Sequence, residues 1–528
     1  MIKFRSTLSI TALLLAIATV MPARADADSA ANPQASPTTL AQALAQAYAN
    51  NPTLQEQRAN LRATDENVPA ALAGWRPTVT IQGTVGRITG TSSEALPTTI
   101  PSTTNLFATQ TVLNHIKLPQ SRDEVIGQLT VTQPIYNGGS TLAKTHEAKN
   151  NVYSARAQLY ATEQTVFTNV VQAYVAVITD RQLLALDLNN LAVLRQQRHA
   201  VQDQFNVGEL TETSVAQAQA SVAQAHATVE IARGDLHIAN ENFRRYVGAY
   251  PAKNLVPPQP LALPVGSKAQ AAREAARNNP NVVVAVFAQA AAKDAVDVAI
   301  AALAPQLSVS ASAFDENNPS GPHTASTGGQ VLANLTVPLY QGGTEYAAIR
   351  QARDKVQAAF AALIDAQRTA VAQATQSWEA LRASQAAVRS SQAQIHADAI
   401  ALDGTERQEI VGTRTTLDVL NAQQALLNAQ TQQIQNIGNV VTSSYGILAA
   451  IGRLTATDLG LPVHHYDDLK YYHAVKEALF GNGNLAYHDA GIAPNGDLLS
   501  NSVPTNPAPV PTISKPNLSQ PSASAPRS

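Results

Sequence analysis

Gln133-Pro134-Ile135-Tyr136-Asn137-Gly138-Gly139 returns 204 residues later as Val337-Pro338-Leu339-Tyr340-Gln341-Gly342-Gly343. The same offset joins Val207-Gly208 to Val411-Gly412 and Val247-Gly248 to Ile451-Gly452. A stretch of about 115 residues that admits no insertion between copies reads as a rigid rod whose two versions must match end to end. Ahead of it the offset is 228: Asn50-Asn51-Pro52 returns as Asn278-Asn279-Pro280, and Pro77 as Pro305. The 24-residue difference falls between the repeated prolines, in a stretch free to vary in length.

Working outward from that Pro-aromatic-Gly-Gly junction, the segment before it has a period of two. Val79, Ile81, Gly83 and Val85 alternate with Thr78, Thr80, Gln82 and Thr84, and Val125, Gly127, Leu129 and Val131 with Ile126, Gln128, Thr130 and Thr132. The second copy repeats this over Leu307–Ser312 and Val331–Val337. One apolar face and one hydroxyl-rich face over roughly 9–13 residues is the pattern of a membrane-crossing strand. The Thr/Ser/Pro-rich stretch from Gly90 to Arg122, and the shorter one from Asp315 to Thr327, are expected to be exposed loops.

After the junction the period becomes helical. Thr141–Asn206 and Glu345–Gln408 contain almost no Gly or Pro, and Val170, Val177, Leu184 and Leu191 recur as Ala374, Leu381, Val388 and Ile395. Sevenfold spacing predicts a coiled-coil seam, and about 67 residues at 1.5 Å rise gives rods roughly 100 Å long. The returning helices, Ser214–Tyr246 and Leu417–Ala450, are half as long. The helices before the strands, Leu40–Ala73 and Ala269–Leu303, supply the missing half by stacking end to end, making four columns per chain.

Over 528 residues the formal charge is −2, which gives no attraction for nucleic acid. Lys3 and Arg5, the apolar run Leu8–Val20 and Ala23-Arg24-Ala25 predict a secretory signal over residues 1–25. There are no cysteines, so stability must come from packing or assembly, and no lipoprotein anchor is expected. Beyond the signal no apolar run is long enough for a membrane helix, so any crossing must use strands. Four strands cannot close a barrel, and an open edge is not tolerated in lipid. Two chains would give eight strands, filled by side chains; three would give twelve, enough for a passage.

At the turns between helices, Phe205-Asn206-Val207-Gly208 and Val411-Gly412-Thr413-Arg414-Thr415-Thr416-Leu417-Asp418-Val419-Leu420 resemble the periplasmic tips of the TolC family of outer-membrane efflux and secretion channels. The Pro-Ile/Leu-Tyr-x-Gly-Gly strand exits and the Leu461–Phe480 segment resemble it too, and the likeness spans roughly residues 38–480. The resemblance implies an α+β membrane protein that is a homotrimer. A 12-stranded outer-membrane β-barrel is then continued by a long periplasmic α-helical coiled-coil barrel. Each chain is an internal duplication. It implies partners as well: a periplasmic adaptor, an inner-membrane pump driven by ATP or protons, and outer-membrane lipid.

By resemblance, Val207, Gly208, Val411, Gly412 and Thr413 form the adaptor-docking tips. Asp418 falls on the first of the family's two acidic entrance rings, whereas the second carries Asn421, which weakens cation selection. Arg414 matches the family's latch arginine. Its expected partners are replaced by Ser214 and Glu409, so pairing with Glu409 or Glu212 is expected instead. Trp75, Tyr136 and Tyr340 are expected at the membrane interface.

The expected division is signal 1–25, N-terminal segment 26–37, first repeat 38–250, linker 251–266, second repeat 267–460, equatorial strap 461–490 and disordered tail 491–528. The alternative function is a trimeric coiled-coil stalk or adhesin without a pore. No GxxxxGK[ST], GxSxG or HExxH motif occurs, so no enzyme chemistry or cofactor is expected. His464-His465 lacks the further spaced ligands a metal would need.

Overall fold

The structure, a computed structural model, describes residues 36–101, 109–319 and 323–479. The signal at 1–25, nearly all of the 26–37 segment, the last part of the strap and the tail lie outside the described residues.

The elements run α1 (Leu40–Asn50), α2 (Pro52–Asp65), α3 (Asn67–Leu72), β1 (Thr78–Pro101), β2 (Thr109–Asn137), α4 (Ser140–Asn206) and α5 (Glu212–Val247). The second copy follows as α6 (Lys268–Asn278), α7 (Pro280–Ala301), β3 (Gln306–Asn317), β4 (Ala325–Thr336), α8 (Thr344–Ile410) and α9 (Thr416–Ala450), with a short α10 (Lys470–Val475) after it. Both rods, α4 and α8, contain 67 residues, and all their boundaries obey the 204 offset.

The columns are built by an asparagine at each junction. Asn51 caps α2 by accepting the Thr53 N–H at 3.0 Å, and its amide donates to the Tyr246 carbonyl at the end of α5 at 3.0 Å. Asn279 repeats both bonds, to the Asn281 N–H at 3.0 Å and the Ala450 carbonyl of α9 at 2.9 Å. Each buried amide therefore joins the C-terminus of one helix to the N-terminus of the next, aligning their dipoles head to tail. Asn279→Ala removes a cap and leaves a buried carbonyl unpaired. It is expected to cost about 2 kcal/mol, read as an earlier chemical-denaturation midpoint. Asn51→Ala should match it.

The core lies where α1, α2 and the α5 and α9 ends wrap α4, around Phe167, Val170, Tyr174, Phe243 and Ile447. Of the seam residues, Val170, Val177, Leu191, Ala374 and Leu381 are buried, and Leu184, Val388 and Ile395 are half-buried. Twenty-one α4 residues are buried against six of α8, so within one chain the second rod has an open flank.

The sheet is antiparallel in the order β1-β2-β3-β4. Its register puts Val79, Ile81 and Val85 beside Val131, Leu129 and Val125, then Ala311 and Ala313, then Val331, Ala333 and Leu335 on one face. The other face carries Thr78, Thr80, Gln82, Thr130, Thr132, Ser310, Ser312 and Asn334. Ile81, Val85 and Val331 are 77%, 81% and 73% exposed, an apolar surface that water would not leave bare in a soluble protein.

The expected loops are corrected. Gly90–Arg122 is largely strand, paired from Gly90 with Gln120 to Pro101 with Thr109, with residues 102–108 outside the described residues. Its β-branched Thr, Ile and Val residues sustain the ladder. Pro97 and Pro119 fit because both strands of a two-stranded ribbon are edges. The second loop is shorter than expected, with β3 running to Asn317 and β4 starting at Ala325.

Candidate functional site

Each rod ends in a hairpin whose sequence dictates its shape. In the first, the Gly208 N–H donates to the Phe205 carbonyl and the Glu209 N–H to the Gln204 carbonyl, both at 2.9 Å. In the second, Gly412 donates to Glu409 and Thr413 to Gln408, again at 2.9 Å. This paired bonding needs a left-handed residue, supplied by Gly208 at φ 85° and Gly412 at φ 77°. The turns push Val207 and Val411 into solvent, 72% and 71% exposed. Apart from the two chain neighbours, no described atom lies within 4 Å of where a Cβ on either glycine would stand. Each tip is thus an apolar knob beside bare backbone.

The two tips differ in what pins them. Leu210 packs on Val201, Val215 and Ala218. Its counterpart is Arg414, which is held by polar contacts: its Nε to Gln408 at 3.4 Å and an ion pair with Asp418 at 3.8 Å. Within the single chain Arg414 therefore pairs with Asp418 and Gln408, and the expected pairing with Glu409 or Glu212 is not made there. Arg414 lies in the turn just ahead of the Thr415 N-cap, and the ion pair to Asp418 closes back over that turn. Glu409 is half-buried and Glu212 opens α5 in solvent.

Asp418 also closes a capping box. Its carboxylate accepts the Thr415 N–H at 2.9 Å, and Thr415 accepts the Asp418 N–H at 3.3 Å. These Thr415 bonds, then Arg414, hold the Asp418 carboxyl below the usual carboxylate range. Ser214, at the equivalent place in α5, reaches only the Thr211 hydroxyl at 3.4 Å. Asn421 is exposed one turn further along α9. The Thr415-x-x-Asp418 box was readable in the sequence, whereas Gln408 as the Arg414 partner was not.

Above the tips, Leu420 of α9 inserts among Leu191, Leu194, Ala225 and Val229, tying the second hairpin to the first. Beside it a cavity of about 310 Å³ opens between α4, α5 and α9, lined by Asp180, Asp187, Asp235 and the amides of Gln424 and Asn428. Burial raises the Asp180 carboxyl, with Asp235 adding to the rise, and burial likewise raises Asp187. Sequence reading missed these acids, although Asp180 and Asp187 share one helix face seven residues apart. Among the described residues no group of His, Asp and Glu is arranged to hold a metal.

Trp75, Tyr136 and Tyr340 are all exposed near the strand ends, and Gln133 donates to the Trp75 carbonyl at 2.9 Å.

A family model described as outer membrane efflux protein matches residues 43–249 and again residues 271–453. The chain belongs to that family. Outer membrane efflux protein BepC of Brucella suis is 33% identical over 449 residues, covering 84% of this chain and 91% of its own. Outer membrane protein TolC of Escherichia coli is 26% identical over 353 residues, 63% of this chain and 70% of its own. Among solved structures, the Campylobacter jejuni CmeC outer membrane channel superposes with a TM-score of 0.67 at 15% identity, covering 84% of this chain and 90% of that one. This efflux protein therefore shares the fold of outer-membrane channels, and the two matched segments of the family model coincide with its two structural copies.

Proposed function

We propose that three copies form the exit duct of a tripartite efflux or type I secretion system in the outer membrane of a Gram-negative bacterium. The observation that carries this reading is the four-stranded sheet, which bears an apolar band on one face from Val79 to Val85 and from Val125 to Val131 and is edged by unpaired β1 and β4. Three such sheets joined edge to edge make a twelve-stranded barrel with lipid outside and hydroxyls inside. The open flank of α8 is then covered by the neighbouring chain, continuing the barrel as a ring of twelve helical columns through the periplasm. Residues 38–250 and 267–460 are the repeats, 251–266 the linker and 461–490 the strap, with Trp75, Tyr136 and Tyr340 at the membrane boundary.

At the far end, Val207-Gly208 and Val411-Gly412-Thr413 are the surfaces on which a periplasmic adaptor docks, recruiting an inner-membrane pump. The second hairpin is the moving part, because Arg414 holds it through Asp418 and Gln408 where Leu210 holds the first through apolar packing. Asp418, repeated around the axis, favours cations at the entrance. Glu409, Glu212, Ser214 and Asn421 line the same mouth.

Purified protein is expected to weigh as a trimer in detergent and to give small, cation-favouring currents in a planar bilayer. Arg414→Ala should raise the resting conductance several-fold. A monomer that passes no ions would overturn the reading, and an unchanged Arg414→Ala conductance would remove the latch alone.

A further inference from the structure

β1 and β2 continue in one unbroken register from Thr78 with Thr132 to Pro101 with Thr109, but β2 leaves β3 at Val125. Everything beyond is a two-stranded arm without a counterpart in the second copy, whose strands are 12 residues each. Along this arm the apolar side changes face. Up to Val85 and Val125 the apolar residues lie on the face bearing Ile81 and Leu129. At the next pair on that face, Arg87 meets Asp123 at 3.7 Å, and the face continues as Thr89, Thr91, Ser93, Lys117, His115 and Ser121, with Ala95, Pro97 and Leu113 toward its end. Ile88, Leu96, Ile100, Val112 and Ile116 stand instead on the opposite face, in line with Thr78, Thr80 and Gln82 below, and the Arg122–Glu124 ion pair shares this face at the base of the arm. All five are exposed in the single chain.

We infer that this stripe is a contact between copies: the arms of neighbouring chains pack on one another through Ile88, Leu96, Ile100, Val112 and Ile116, forming an apolar collar over the outer mouth of the duct. The inference rests on the trimeric barrel proposed above. In that barrel the face carrying the stripe looks toward the axis, where no lipid lies. The outward face turns charged and hydroxyl-rich directly above Val85 and Val125, as it must on leaving hydrocarbon. β4, with half the length of β1, can close the barrel seam along only the lower part of β1. The arm therefore continues that seam with both its edges unpaired. An isolated ribbon of this kind is marginal in water, and burial of its apolar stripe is what would steady it. At about 3.3 Å per residue the arm from Arg87 to Pro101 extends roughly 45 Å, longer than the radius of a twelve-stranded barrel. The other copies are within reach. A collar of this kind narrows the mouth to polar solutes arriving from outside, while cargo driven outward displaces it.

Because the chain has no cysteine, single replacements report cleanly. Leu96→Cys and Ile100→Cys, in the full-length channel in its native membrane, are expected to give covalent dimers with a short bis-maleimide, whereas Thr91→Cys on the outward face stays uncoupled. The combined variant Leu96→Ser, Ile100→Ser, Ile116→Ser should keep its trimer mass and raise several-fold the entry of a large polar antibiotic added outside. A trimer in which Thr91→Cys couples and Leu96→Cys does not would overturn the collar. So would quenching of a fluorophore at Leu96→Cys by brominated lipid, which would assign the stripe to the membrane. A monomeric mass would instead sink the barrel reading beneath it.

Discussion

Placing asparagine at Gly412 should leave a folded, inserted channel that exports about a hundredfold less, and valine there should do the same with a loss of stability added. The two changes separate causes that a single one would confuse. Gly412 sits at φ 77°, where a β-branched residue is strained but asparagine is tolerated. Apart from Val411 and Thr413, no described atom lies within 4 Å of the Cβ that either residue adds. Valine therefore strains the turn by about 1–2 kcal/mol, while asparagine spares it. Both cover the bare backbone next to Val411. If an adaptor presses on that backbone, a bulky atom there costs on the order of 3 kcal/mol of docking, the equivalent of that hundredfold loss. Dye export is to be followed in cells that rely on this channel alone, together with the melting temperature of the purified protein. An asparagine variant that melts and exports as the parent does would remove the tips from the docking surface. Gly404 is the internal control. It too has free space around it, but it lies inside α8 near its C-terminal end and away from the turn, so alanine there should leave export unchanged.

Most of the scaffold could be read from residue order because the chain repeats itself. Offsets without gaps located both rods to within about two residues, and the Asn-Asn-Pro signals marked the column junctions before Asn51 and Asn279 were seen bonding to Tyr246 and Ala450. What stayed hidden lies where the copies disagree. The extended arm reads as loop by its Ser, Thr and Pro content, whereas its Ile and Val residues keep a strand period on the unexpected face. The Arg414 partner depended on side-chain reach across a turn, which spacing alone did not rank above charge at Glu409 or Glu212.

The largest omission was the ionisable cluster beneath the strap. Glu163, Arg156 and Asp65 of the first copy correspond to Gln367, Phe360 and Lys293 of the second. The described part of the strap lies against these first-copy groups, where Tyr471 donates to Glu66 at 2.7 Å, Tyr48 accepts the Tyr466 N–H at 3.0 Å, and Arg156 faces Asp468 at 3.9 Å. Departures from the repeat mark the place where a segment without a twin lies down.

That cluster makes the channel firmest in mild acid. Asp65 is fully buried and neither carboxylate oxygen has a hydrogen-bond partner. Burial pushes it up to about 7, opposed by Arg156 and Arg62 and reinforced by Asp468 and Glu66. Glu163 accepts the Ala456 N–H at 2.6 Å, yet burial pushes it to about 7 as well, against the pull of Arg58. In the unfolded chain both acids lose their protons near pH 4, so folding takes protons up between about pH 4 and pH 7. Their contribution is complete below the unfolded values and is lost as the pH rises through the folded ones. At about 1.4 kcal/mol per pKa unit, Asp65 alone is worth on the order of 4 kcal/mol across that window. Asp180 and Asp187, raised by burial, add to the slope with the same sign, whereas Asp418, lowered, opposes it slightly. Melting in detergent should therefore fall from pH 5.5 to pH 8. Asp65→Asn should flatten that fall and stabilise the protein at pH 8, and adding Glu163→Gln should flatten it further. If the double variant keeps the full slope of the parent, the strap cluster is not its source.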